Sequence, residues 1–263
     1  MTELAAGHLE ATLRAHRAAG RKLLVPYVTG GLTGWREAIG AAAVAGADAL
    51  EVGIPFSDPV MDGPVIQEAS QRALEAGATP GRILEELASL DAGIPLAVMT
   101  YYNLVFRAGH DRFAGALRRA GVSGAILPDL PLEEAGPWCE AADRAGVETV
   151  MLAAPTAPDE RLPRVCARSR GFVYCVGLLG VTGERSSLAA TAMDLARRLK
   201  AITDVPVLVG VGVSNAAQAR EAVTVADGVI QGASVVRRLM DGGPEAVGEY
   251  VAEVRAALDE ASD

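Results

Sequence analysis

The residues of this 263-residue chain best placed for chemistry are two kinds of group that sit where short apolar runs end. Glu51 lies inside ALEVGIPF (49 to 56) with apolar neighbours on both sides. Side chains alternate along a strand, so Leu50 and Val52 share one face while Glu51 and Gly53 share the other. A carboxylate so placed has no lysine or arginine near it in sequence, and desolvation then pushes its pKa toward the range useful for acid/base work. The plainer reading is a buried structural glutamate satisfied by backbone or by a distant arginine. Directly after this run comes PFSDPVMDGP (55 to 64), whose Asp58 and Asp62 either face a site or only cap turns, as Asp before Pro or Gly does. Three later runs end in glycine-rich segments: GLLGVTG (177 to 183), VGVGVSN (209 to 215) and IQGAS (230 to 234). Glycines there let backbone N–H groups approach an anion, most simply a phosphate.

These groups need elements to hold them. From residue 23 onward, short apolar runs alternate with helical patterns, which is the signature of parallel βα units. Strands are expected at 23 to 29, 49 to 56, 95 to 102, 124 to 130, 148 to 154, 171 to 177, 205 to 212 and 227 to 233. Each is apolar on both faces, as for strands covered by helices. Between them run amphipathic stretches such as WREAIGAAAVAG, DRFAGALRRAG, LEEAGPWCEAADRAG, AATAMDLARRLKA and NAAQAREAVTVA. Eight strands with no linker and no Gly-rich first turn predict a (β/α)8 TIM barrel rather than a doubly wound open sheet. The expected organisation is a single domain over 1 to 263: an N-terminal helix at about 3 to 19, a barrel at about 23 to 235, an added helix at 80 to 91 and a C-terminal helix at about 244 to 260. In this fold, chemistry belongs to the C-terminal ends of the strands.

Composition narrows the function further. Half the residues are hydrophobic and 22% are charged, which excludes a disordered chain. A net charge of −9, with no basic run, disfavours nucleic acid. No segment reaches about 18 consecutive apolar residues and the start is charge-studded, so neither a membrane span nor an export signal is expected. Cys139, Cys166 and Cys175 are odd in number and widely spaced, which fits a reducing cytoplasm. The histidines, His8, His16 and His110, lie away from strand ends, so a His-ligated metal is not expected. Lys22 precedes the first strand and Lys200 falls late in a helix, so neither suits imine chemistry. Carboxylate acid/base chemistry on a small phosphorylated substrate remains, with Tyr27, Tyr101, Tyr102 and Tyr174 near strand ends as core or as site.

The run ADALEVGIPFSDPVMDGPVIQEA closely resembles the second βα unit of the tryptophan synthase α-subunit family. PYVTGG, MTYYN, ILPDLPLEE, GVTG, VGVGVSNAAQ and DGVIQGAS match further segments of that family in order, from about residue 23 to about 235. The resemblance implies retro-aldol cleavage of indole-3-glycerol phosphate to indole and glyceraldehyde 3-phosphate. It also implies an α2β2 complex with a β subunit that carries pyridoxal phosphate and receives the indole, this chain having no cofactor. Glu51 matches the family's acid/base and Asp62 the carboxylate that meets the indole N–H. Tyr174 and Tyr101 match substrate neighbours. Gly183, Gly212 and Gly232 match the backbone donors of the phosphate cradle, to which the Ala233 N–H and Ser234 are added as candidates. Asp58, Pro59 and Thr182 match loops that close over substrate and communicate with the β subunit. The chain departs from the family where a Gly-Ser pair reads Gly232-Ala233, where Met61 stands in place of a small residue, and where Gly177-Leu178-Leu179 replaces a polar run. A free-standing indole-releasing lyase and a catalytically silent activator of a β partner remain alternatives.

Overall fold

The computed structural model describes residues 6–177, 190–210 and 212–261. Eight strands form a closed barrel in chain order: β1 (Leu23–Thr29), β2 (Leu50–Gly53), β3 (Leu96–Met99), β4 (Gly124–Ile126), β5 (Glu148–Ala153), β6 (Val173–Val176), β7 (Val207–Gly210) and β8 (Gly228–Gln231). All pairings are parallel, and β8 closes on β1 with Leu23 opposite Gly228. The helices are α1 (His8–Ala18), α2 (Trp35–Val44), α3 (Pro64–Glu75), α4 (Pro80–Ala88), α5 (Tyr102–Ala108), α6 (His110–Arg119), α7 (Gly136–Ala145), α8 (Leu162–Arg168), α9 (Ala190–Lys200), α10 (Ala216–Ala222) and α11 (Ala233–Asp259). Local chemistry sets several starts. The Thr79 hydroxyl accepts from the Arg82 N–H ahead of Pro80, and the Asn215 side chain accepts from the Gln218 N–H.

All eight expected strands are present, most of them shorter than expected. Pro55 and Pro128 supply no ladder donor, so β2 stops at Gly53 and β4 at Ile126. The third expected strand, 95 to 102, ends at Met99, because the Asp129 carboxylate accepts from the Tyr102 N–H and starts α5 there. The expected C-terminal helix is the second half of α11, which bends at Gly243 (φ 73°) and restarts at Pro244. Its first half, from Ala233, went unassigned in the sequence pattern. α1 begins at His8, and residues 3 to 5 of the expected N-terminal helix lie outside the described residues.

Strand alternation divides the core into two shells. Leu50 and Val52 face outward under the helices with Val28, Val98 and Val209, whereas Leu23, Val25, Ala97, Ile126, Val150, Phe172, Leu208 and Ile230 fill the barrel interior. Leu9 and Leu13 of α1 join this inner shell, so the N-terminal helix plugs the barrel floor. The Glu148 carboxylate fixes it by accepting from the Leu9 and Glu10 N–H groups at 2.8 and 2.9 Å.

The same end carries a buried charge junction. Asp48, fully buried, accepts from Arg21 Nε at 2.6 Å, from the Leu24 N–H at 2.8 Å and from Arg255 Nη1 at 3.3 Å, and meets His16 Nδ1 at 2.7 Å. It thereby ties α1, β1 and α11 together. Removing it leaves the buried Arg255 without this carboxylate. Asp48→Ala is expected to cost about 3 kcal/mol, read as a lower urea midpoint at unchanged slope, with turnover retained wherever the variant is folded.

Candidate active site

The opposite, C-terminal end of the barrel holds the candidate residues. Glu51 follows Ala49 on the inner face of β2 and is 1% exposed. Its two carboxylate oxygens have no hydrogen-bond partner among the described residues. Burial pushes its pKa up to about 8, because the charged form loses its hydration with no counter-charge in return among the described residues. The plainer reading, a satisfied structural glutamate, finds no partner here.

Asp62 is brought to the same cavity by the loop after β2 and is 9% exposed. The Tyr101 hydroxyl donates to its Oδ2 at 3.0 Å, and the Met61 N–H donates to that hydroxyl at 2.9 Å. Phe56 stacks on the Tyr101 ring with centroids 5.0 Å apart, which pins the loop over the end of β3. Desolvation raises the Asp62 pKa to about 6, with the Tyr101 hydrogen bond opposing it. The Asp62 carboxyl thus lines the cavity, held there by Tyr101. Tyr101, expected as a substrate neighbour, holds Asp62 and does not line the two cavities that meet here.

The first cavity, about 60 Å³, is lined by Tyr27, Glu51, Asp62 and Tyr174 on one side and by Gly212, Ser214, Gly232, Ala233 and Ser234 on the other. The first turn of α11 opens onto it, and helix N-termini present unpaired N–H groups there. The Ser234 hydroxyl is engaged by Tyr250 Oη at 3.2 Å, and Arg238 stacks on the Tyr250 ring at 3.6 Å. A second cavity of about 380 Å³ shares Asp62, Met99 and Tyr174 with the first and runs under Ile126, Leu152 and Val176. It is mostly apolar and large enough for a bicyclic ring. These apolar walls were missed in the sequence; their one signal is position at the C-terminal strand ends, which core residues share.

Asp58 and Pro59 lie apart from this centre. Asp58 is exposed and accepts from its neighbour Ser57 at 2.6 Å, and Pro59 lines a separate crevice with Phe56 and Gln67. Thr182 and Gly183 lie outside the described residues. Lys200 pairs with Asp227 at 2.8 Å and Lys22 donates to the Val223 carbonyl, both at the N-terminal end. His16 is on Asp48, and His110 stacks with Tyr102, whose hydroxyl it meets at 3.0 Å.

A closed parallel barrel with two buried carboxylates and an adjoining apolar cavity at its C-terminal end defines a barrel enzyme of the acid/base type. Comparison with known proteins gives the family. The family profile described as tryptophan synthase alpha chain matches residues 13–261. The tryptophan synthase alpha chain of Streptomyces coelicolor is 47% identical over 245 residues, covering 91% of this chain and 90% of that one. Its counterpart in Thermobifida fusca is 44% identical over 262 residues, covering 95% and 97%. A chain of the solved Mycobacterium tuberculosis tryptophan synthase superposes with a TM-score of 0.90 at 38% identity, covering 97% of this chain and 99% of that one. The chain belongs to the tryptophan synthase alpha chain family, the carbon–carbon lyases of tryptophan biosynthesis that act on indole-3-glycerol phosphate.

The Tyr101 hydrogen bond favours the charged form of Asp62. Tyr101→Phe is expected to raise the Asp62 pKa, so that the acidic limb of the activity profile moves to higher pH. An unmoved limb would show that the contact does not set this carboxylate.

Proposed function

We propose that Glu51 and Asp62 divide the work of a retro-aldol cleavage of indole-3-glycerol phosphate, Glu51 moving the proton and Asp62 holding the charge. The observation that carries this is the pair of carboxylates in one cavity with pKa values raised to about 8 and about 6, so that near pH 7 one is protonated and the other ionised. Neutral Glu51 gives its proton to indole C3, which turns the ring into a cationic iminium. Asp62 accepts the N–H of that cation, an interaction stronger in the transition state than before it. The Glu51 carboxylate then takes the proton of the glycerol hydroxyl next to the scissile bond. That oxygen forms the aldehyde carbonyl, and the electrons of the breaking C–C bond return to the indole ring.

Gly212, Gly232, Ala233 and Ser234 form the phosphate side of this reading. Gly183 is assigned to the same cradle. Tyr174 and the apolar walls from Met99 to Val176 take the indole. Asp58, Pro59 and Thr182 belong to loops that close over the substrate and exclude water. The full chain, 1 to 263, acts as one domain in the cytoplasm within an α2β2 complex. The β subunit supplies the pyridoxal phosphate and receives the indole; this chain needs no cofactor and no metal. Among the described residues, no helix is long and apolar enough to cross a membrane.

The kcat/KM profile tests the division of labour. Activity needs Asp62 ionised and Glu51 protonated, so it is expected to rise through about pH 6 and fall through about pH 8. Asp62→Asn is expected to slow cleavage and to remove the acidic limb. Glu51→Gln, isosteric but unable to shuttle a proton, is expected to lower kcat by about 100-fold or more at a nearly unchanged KM. Retained turnover would take Glu51 out of the mechanism. Indole release is expected to be slow from the chain alone and to rise sharply with a tryptophan synthase β subunit. Fast release indifferent to that subunit would make the chain a free-standing lyase.

A further inference from the structure

Tyr27 is absorbed neither by the carboxylate pair nor by the phosphate side, yet it is the residue of β1 directly beside Glu51 in the β1–β2 register. It follows Leu23 and Val25 on the inner face and lines the first cavity together with Glu51, Asp62 and Tyr174. Its ring leans over Gly53, the next inward position after Glu51 on β2. A Cβ at residue 53 would stand 1.8 Å from the Tyr27 hydroxyl oxygen, so glycine there is what admits the phenol.

Donor supply within the cavity is uneven. Asp62 has the Tyr101 hydroxyl, while neither Glu51 oxygen has a partner among the described residues. Once Glu51 has passed its proton to substrate, an anion is left in a nearly dry site. No lysine or arginine lines this cavity among the described residues. Leaving such an anion unbonded is costly. The groups that bear on Tyr27 are Asp62 and Glu51 from β2 and its loop, Tyr101 from the end of β3, and Thr29 on its own strand. Tyr174 shares the cavity and bears on Glu51 first, then on Tyr27 and Asp62. Burial first, then Asp62, push the Tyr27 pKa far above the usual phenol range; the Thr29 side chain opposes this, and Glu51 and Tyr101 add smaller upward pushes. The phenol therefore stays protonated and remains a donor.

We propose that Tyr27 is a positioning residue for the proton transfer: its hydroxyl, held over Gly53, donates a hydrogen bond to the Glu51 carboxylate once Glu51 has given up its proton. This rests on the assignment of Glu51 as the acid/base. The bond favours the charged form of Glu51, so its loss raises that pKa and slows the step in which the charge appears.

The test is the pH dependence of kcat for indole-3-glycerol phosphate cleavage by the full chain. Tyr27→Phe is expected to move the alkaline limb to higher pH and to lower kcat about tenfold at nearly unchanged KM. Gly53→Ala, which keeps the phenol but displaces it, is expected to move the same limb in the same direction. It gives the reading if Tyr27→Phe does not fold, as judged by thermal unfolding. Tyr174→Phe is expected to act mainly on KM and to leave the limb in place. Alkaline limbs in Tyr27→Phe and Gly53→Ala that superimpose on that of the unaltered chain would overturn the proposal, as would a shift confined to Tyr174→Phe. Glu51→Gln separates the two levels. If it is inactive while the Tyr27→Phe limb is unmoved, only Tyr27 loses its role; if it turns over normally, the Glu51 assignment fails and the Tyr27 proposal with it.

Discussion

The arrangement depends on one costly placement, a carboxyl group on the inner face of a parallel barrel strand with no counter-charge among the described residues. A parallel sheet covered by helices has no wet face, so alternation sends Glu51 into the dry interior once Leu50 and Val52 pack outward. The uncharged form is then favoured up to about pH 8, through burial and not through any partner among the described residues. Asp62 has the same chemistry in a less severe setting. Its loop brings it to the cavity from above, Tyr101 donates to it, and its pKa settles near 6. Two similar side chains thus occupy opposite protonation states because their surroundings differ.

Three carboxylates at the floor of the barrel and Glu51 at its mouth are held in contrary ways. At the floor, Asp48, Asp227 and Glu148 are each multiply bonded to arginine, lysine or backbone N–H groups, and α1 seals the interior with Leu9 and Leu13. At the mouth, Glu51 is unbonded among the described residues, and Thr100 carries a buried hydroxyl without a hydrogen-bond partner there. A substrate with its own donors and acceptors has most to offer groups left in this condition.

Much of this is legible in the sequence, and the boundary has physical reasons. Glu51 stands out because a charge inside an apolar strand contradicts the local pattern, and Asp62 because a Pro/Gly loop directly follows that strand. The eight strands read clearly because each is buried on both faces. The end of the third strand does not, since MTYYN is as apolar as a strand and only Asp129, 27 residues beyond Tyr102, starts the helix there. The plugging role of α1 depends on Glu148, some 139 residues from Leu9, and no local pattern carries that. Tyr101 is visible as a strand-end tyrosine, but its grip on Asp62 follows from the loop path, which the hydrogen bonds of Met61 and Gln67 fix only in three dimensions.

The central claim is that Glu51 is protonated at neutral pH because it is buried without a partner among the described residues. The most direct measurement is a carbon-13 NMR titration of the full chain carrying carboxyl-labelled glutamate, with the Glu51 signal assigned by its absence in Glu51→Gln. The account predicts a resonance that titrates near pH 8, well apart from the exposed glutamates. A Glu51 carboxyl that titrates with them, near its ordinary value of 4.5, would contradict it.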